Sequence, residues 1–220
     1  WKSQKFGNSV AKRGLLYHKD NDNEIPRIIF SNRERLISLD ADNGKFIESF
    51  GKKGQVKTGL NVTTPVIYQD NIIIVSWDKA VEVYDLYSGK PKWKLKYIKK
   101  ISKRNGGKKF NNHGSNSWGG ISLDENRGVL YFTTGNPHYY FDGTQRPGKN
   151  PNSNSVIAVD LKKKEILWSF QETSHDIWNS DLPAPPILTS IIKDKKKIDV
   201  VVVPTKRSNT LILDRLTGES

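Results

Sequence analysis

The 220-residue sequence has no cysteine. That excludes disulfides, thiolate metal sites and cysteine nucleophiles, and it leaves the redox compartment open. No run of about 18 apolar residues occurs, so no segment reads as a membrane-spanning helix. The first residues, Trp1-Lys2-Ser3-Gln4, carry no apolar stretch of the signal-peptide kind. No segment holds a sustained helical period. Compositional disorder is excluded as well, because 35% of the residues are hydrophobic and six are Trp.

Charge is lopsided, with 36 Lys and Arg against 23 Asp and Glu, a net +13. The excess sits in short basic runs: Lys99 to Arg104, Lys108-Lys109, Lys162 to Lys164 and Lys193 to Lys197. No recognition helix or RNA-binding motif accompanies them. They read as solvated loops, and no nucleic-acid partner is expected.

An internal repeat is present, and repeats set the fold. Leu36-Ile37-Ser38-Leu39-Asp40 leads to Gly44, Val83-Tyr84-Asp85 to Gly89 and Trp93, Ala158-Val159-Asp160 to Trp168, and Ile212-Leu213-Asp214 to Gly218. The frame is a strand, an Asp, three residues, a Gly, and a Trp eight residues after the Asp. The Asp carboxylate can bond the turn backbone. Gly supplies a left-handed position, and the Trp ends the returning strand where it can pack on the next unit. Glu48 replaces the first Trp and Lys164 the third Gly. The anchors Asp40, Asp85, Asp160 and Asp214 lie 45, 75 and 54 residues apart. Further strands are expected at 27–30, 66–68, 72–75, 129–132 and 200–203. Units of this size with several short strands predict an all-β chain of propeller blades, about four of them, over residues 1–220. About four blades do not close a ring, so both ends read as cuts in a longer repeat.

The repeat resembles the tryptophan-docking motif of quinoprotein propellers. Four loops match the dehydrogenases that use pyrroloquinoline quinone, which are eight-bladed. The first is Lys12-Arg13-Gly14-Leu15-Leu16-Tyr17. The resemblance implies that Arg13 approaches the quinone's oxygens, a task suited to a planar guanidinium facing carboxylates. The second is Ser115-Asn116-Ser117-Trp118-Gly119-Gly120, in which Trp118 would form a flat floor under the cofactor. The third is Thr134-Gly135-Asn136-Pro137, followed by Gln145-Arg146-Pro147-Gly148-Lys149-Asn150. Here Asn136, 18 residues after Trp118, would give a neutral oxygen to a hard cation. Taken alone, Gly-Asn-Pro reads as a turn and Trp118 as a core residue; the length of the match carries the reading.

The fourth and most specific loop is Ser174-His175-Asp176-Ile177-Trp178-Asn179-Ser180-Asp181, with Val203-Pro204-Thr205-Lys206 after it. The Lys206 ammonium would contact the quinone oxygens and polarise the carbonyl that receives hydride. In this family the catalytic base is the Asp directly after the motif's Trp, and that position is Asn179. An amide cannot take a proton and is a weaker metal ligand. Three readings stay open: Asp181 serves as base and metal ligand, His175 or Asp176 compensates, or the catalyst is altered. The absence of adjacent cysteines favours the sugar-oxidising branch over the alcohol-oxidising one.

The resemblance therefore implies an oxidoreductase that moves hydride from a sugar or alcohol hydroxyl to pyrroloquinoline quinone. Asn179, Asp181 and Lys206 are the catalytic candidates. Arg13, Trp118 and Lys206 would bind the quinone, and Asn136, Asn179 and Asp181 the metal, calcium or another divalent or lanthanide ion. It also implies a membrane quinone or cytochrome as electron acceptor and a location in, or facing, the periplasm. A similar repeat occurs in non-enzymatic outer-membrane assembly lipoproteins, so a binding scaffold is the second reading.

Overall fold

A computed structural model describes residues 1–2, 13–21, 24–98, 104–105, 108–109 and 114–220. Lys12 and the part of the first basic run at 99–103 lie outside the described residues. Among the described residues there are strands and turns but no helix.

Among the described residues, seventeen strands form a succession of antiparallel sheets built from neighbouring segments. The first sheet holds β1 (Leu16–His18), β2 (Arg27–Ser31), β3 (Arg33–Asp40) and β4 (Gln55–Asn61) in chain order. The second holds β5 (Val66–Tyr68), β6 (Asn71–Ser76), β7 (Ala80–Asp85) and β8 (Pro91–Lys96). A two-stranded ribbon follows, β9 (Arg104–Asn105) with β10 (Lys108–Lys109). The third sheet is β11 (Ile121–Asp124), β12 (Val129–Thr133), β13 (Ser155–Asp160) and β14 (Glu165–Gln171). The fourth is β15 (Ile187–Lys193), β16 (Lys196–Pro204) and β17 (Thr210–Asp214). Four meanders of three or four strands are the four blades of a β-propeller of the quinoprotein type. Each apolar run expected from the sequence lies within a strand, namely β2, β5, β6, β12 and β16.

The chain divides into two compact units, Trp1–Leu95 and Lys96–Ser220. Each has its own core. In the first unit Ile29, Leu36, Phe50, Ile72, Ile74 and Leu86 are buried together between two sheets. In the second, Tyr131, Val156, Ala158, Val201, Val203 and Leu213 do the same. In the second and third sheets the two inner strands are buried over most of their length, which explains their near-continuous apolar runs. The outer strand β14 alternates, with exposed Glu165, Leu167 and Ser169 between half-buried neighbours.

The repeated turn has one backbone geometry in all four copies, the N–H of the fourth residue after the Asp donating to the Asp carbonyl. Asp85 Oδ1 accepts from the backbone N–H of Tyr87 (3.2 Å) and of Ser88 (2.8 Å). Asp160 does so from Lys162 and Lys163, and Asp214 from Leu216 and Thr217. The Asp40 copy keeps the bond two residues on, from the N–H of Asp42. The fourth residue after each Asp stands in the left-handed region: Gly44 at φ +73°, Gly89 at +68°, Lys164 at +60° and Gly218 at +74°. Lys164 therefore carries the strain that glycine avoids.

Trp168 shows what the tryptophan does. Its indole N–H donates to the carbonyl of Arg215 at 3.2 Å. Its ring lies on Gly218, where an added Cβ would stand 2.6 Å from Trp168 Cδ2. Trp1 covers Gly44 in the same way and donates to the Ala41 carbonyl at 2.7 Å. At the copy that lacks its Trp, the fully buried Phe50 takes over. Its ring and Val56 lie against Gly89, two residues along from Glu48.

Candidate functional site

Four of the expected site residues stand in loops at one edge of the second unit's sheets. Trp118 precedes β11, Asn136 follows β12, Asp181 lies between β14 and β15, and Lys206 lies between β16 and β17. Antiparallel pairing places all these strand ends on the same side.

Asp181 is the centre of the group. Its Oδ1 accepts the backbone N–H of Asn136 at 2.6 Å, and its Oδ2 accepts the indole N–H of Trp118 at 3.0 Å. Gly135 makes this approach feasible, since a Cβ there would stand 3.0 Å from Asp181 Oδ1 and 3.1 Å from Trp118 Nε1. The glycine of Gly-Asn-Pro is thus a spacing device as well as a turn residue. Burial raises the Asp181 carboxyl above the usual aspartate range. The bond from Asn136, the Lys206 charge and the Trp118 bond oppose that rise without cancelling it.

The Gly119-Gly120 pair after Trp118 has a similar reason. A Cβ on Gly119 would stand 2.7 Å from the Pro183 carbonyl oxygen, so this backbone must pass close to the segment that follows Asp181. Thr133 Oγ1 then donates to the carbonyl of Ala184 at 3.1 Å.

Asn179 takes φ +59°, a left-handed conformation that Asn tolerates better than most residues. Its carbonyl accepts the exposed Lys206 ammonium at 3.1 Å. The loop is organised by Asp176, which is 1% exposed. Asp176 Oδ1 accepts the N–H of Trp178 at 2.9 Å, and its Oδ2 accepts from Ser180 N–H at 2.7 Å and Asn154 Nδ2 at 3.0 Å. A sealed carboxylate with three donors holds a turn. Of the open readings for the base, this geometry is against Asp176. His175 Nδ1 lies 2.9 Å from the Gly148 carbonyl, so that ring packs on the preceding loop. Trp178 is 78% exposed.

Arg13 belongs to the first unit, just before β1, where its carbonyl accepts Thr64 Oγ1 at 2.7 Å. Trp118, Asn136, Asn179, Asp181 and Lys206 are the site residues of the second unit.

The donor set suits a hard cation: amide oxygens at Asn136 and Asn179 and a carboxylate at Asp181. Asn136 is 3% exposed, and its side-chain nitrogen has no hydrogen-bond partner. A buried donor left unpaired costs about 1–3 kcal/mol, which an acceptor oxygen of a bound quinone would relieve and a cation would not. A flat indole and an ammonium within electrostatic reach of one carboxylate fit an anionic, aromatic cofactor. Sequence reasoning missed two supporting residues. Asn154, which ties Asp176 to the Ser180 carbonyl at 2.8 Å, gives no local signal. Arg146 lies in the third matched loop, but its role depends on partners distant in sequence.

A family model described as "Glucose/ethanol/alcohol dehydrogenase, beta-propeller domain", of the PQQ group, matches residues 1–220. Quinoprotein glucose dehydrogenase of Escherichia coli (strain K12) is 26% identical over 96% of this chain and 31% of its own length. The glycerol dehydrogenase large subunit of Gluconobacter thailandicus is 29% identical over 84% of this chain and 28% of its own length. Lanthanide-dependent methanol dehydrogenase of Methylorubrum extorquens is 29% identical over 96% and 39% respectively. The chain thus spans about a third of the length of such curated relatives. Among solved structures, a europium-containing methanol dehydrogenase superposes with TM-score 0.72 at 21% identity, covering 94% of this chain and 40% of that one. The quinohemoprotein alcohol dehydrogenase of Comamonas testosteroni gives TM-score 0.69 at 20% identity, covering 87% and 32%.

Proposed function

The chain belongs to the PQQ-type glucose/ethanol/alcohol dehydrogenase β-propeller family, and from that premise we propose that it forms part of the quinone- and metal-binding wall of an enzyme that oxidises a sugar or alcohol hydroxyl. The observation that carries the reading is the half-buried Asp181 carboxylate, held between the Trp118 indole and the Asn136 amide with Lys206 within electrostatic reach.

Asp181 is the base in this proposal. Each of its oxygens accepts one hydrogen bond and keeps a second lone pair, so the carboxylate can still take a hydroxyl proton. Asn136, Asn179 and Asp181 would hold the metal, and Asp181 would supply the negative charge of that set. Trp118 would present its face to the quinone, and Lys206 would stabilise charge that develops there. When bound, pyrroloquinoline quinone supplies the hydride acceptor and the metal, calcium or a lanthanide, supplies Lewis acidity. We place the protein in, or facing, the periplasm, with a membrane quinone or cytochrome taking the electrons.

Asn179 supports the second reading, a non-enzymatic propeller scaffold, because an amide cannot replace the family's base. Reconstitution of the full-length protein decides between them. Quinone absorbance, a higher melting temperature with pyrroloquinoline quinone plus calcium, and dye reduction with glucose, glycerol or ethanol are expected. No absorbance and no thermal shift would leave the scaffold.

A further inference from the structure

Arg146 is only 3% exposed. Among the described residues, its hydrogen-bond acceptors are all neutral oxygens. Nε and Nη2 donate to the carbonyl of Tyr139 at 3.2 and 3.0 Å, and Nη1 donates to Asn150 Oδ1 at 2.9 Å. Nη2 also donates to the carbonyl of Asp176. The Asn150 side chain returns a bond to the Arg146 carbonyl at 2.8 Å. A buried guanidinium with no carboxylate bonded to it is costly to desolvate, so its retention calls for a reason beyond stability.

Its position supplies one. Tyr139 lies three residues after Asn136, and Asp176 lies five before Asp181. One planar group therefore fastens the loop carrying Asn136 to the loop carrying Asn179 and Asp181. The clamp continues through the Asp176 carboxylate, which fixes the N–H groups of Trp178 and Ser180 on either side of Asn179. The two loops then meet again at the bond from Asn136 N–H to Asp181.

We propose that Arg146 is a positioning residue of the site: its fork of donors holds the two ligand-bearing loops in register without touching substrate or cofactor. This rests on the reading above that Asn136, Asn179 and Asp181 form a metal and quinone site. A lysine cannot do the same work, because one ammonium cannot span three oxygens in the plane of a guanidinium.

The test uses the full-length protein and its Arg146→Lys and Arg146→Ala variants. Hydrogen exchange is read without cofactor on peptides covering 136–141 and 176–181, with β12 and β13 as internal reference. Exchange in both loops should quicken at least about tenfold in both variants while the strands keep wild-type protection. Calcium and pyrroloquinoline quinone should bind about 10- to 100-fold more weakly, the usual scale for losing a group behind the ligands. Millimolar guanidinium should restore loop protection in Arg146→Ala and not in Arg146→Lys. Wild-type loop exchange in either variant overturns the proposal. So does a rise in exchange across every strand of both variants, which would make Arg146 a general fold residue. If wild type binds neither quinone nor calcium, the dehydrogenase reading fails separately, and loop exchange still decides the clamp.

Discussion

Asp181→Asn removes the proposed base at nearly constant volume, so its effects on stability and on catalysis can be worked out separately. The new amide oxygen can keep the bond from Asn136 N–H, while its nitrogen faces the Trp118 indole N–H. One hydrogen bond is lost, at about 0.5–1.5 kcal/mol. An opposing effect comes from charge. A carboxyl whose folded pKa is raised gives stability that is present below the ordinary aspartate pKa and lost as pH rises through the folded value. At neutral pH the wild type is therefore penalised for ionising Asp181, and the variant is not. The two effects offset, and the melting free energy should change by no more than about 1 kcal/mol at pH 7. Turnover should fall about 10²- to 10⁴-fold, or about 2.7–5.5 kcal/mol, the range for general-base catalysis. Thermal melts of the metal-free full-length protein measure the first, and dye-linked turnover after reconstitution with quinone and calcium measures the second. In metal-free wild type the Asp181 carboxyl should titrate above the usual aspartate range. Turnover that survives Asp181→Asn, or falls only as the fold is lost, would refute Asp181 as base.

Four other outcomes are expected of the full-length protein. Asn179→Asp should tighten calcium binding in a titration, because it adds a charged ligand to the set. Lys206→Ala should weaken quinone retention by about 2 kcal/mol or more and, in the metal-free protein, raise the Asp181 pKa further, since the Lys206 charge lowers it. Gly218→Ala should destabilise in melts by about 1–2 kcal/mol or more, because φ is +74° and the new Cβ would strike Trp168, whereas Lys164→Gly, at φ +60° on an exposed turn, should stabilise by about 0.5–1 kcal/mol. Burial pushes the Asp124 carboxyl up, but bonds from Arg127 (2.8 Å) and Arg215 (3.1 Å) outweigh this and hold it below the usual value. Its stabilisation is lost as pH falls through that low value, and Arg215→Met should move the acid unfolding midpoint to higher pH.

The sequence alone determined what local chemistry controls. An apolar run followed by Asp and, four residues later, Gly specifies a strand and its turn whatever lies beyond. The blades, their inner strands and the four Asp anchors could therefore be read directly, and the matched loops led to Trp118, Asn136, Asp181 and Lys206. Only the tertiary structure decided which groups those residues meet. Trp118 bonds Asp181 across 63 residues, and Arg146 reaches Asp176 across 30. No spacing rule encodes such contacts, because they depend on where separate loops converge. The same holds for Phe50, which covers Gly89 although the repeat has no place for it. The fold needs an apolar ring over that glycine, and it takes the one that packing brings there. Asp176 and Asp181, five residues apart with the same side chain, differ for this reason as well. One is sealed by three donors and fixes a turn, while the other keeps lone pairs free and is held with a raised pKa.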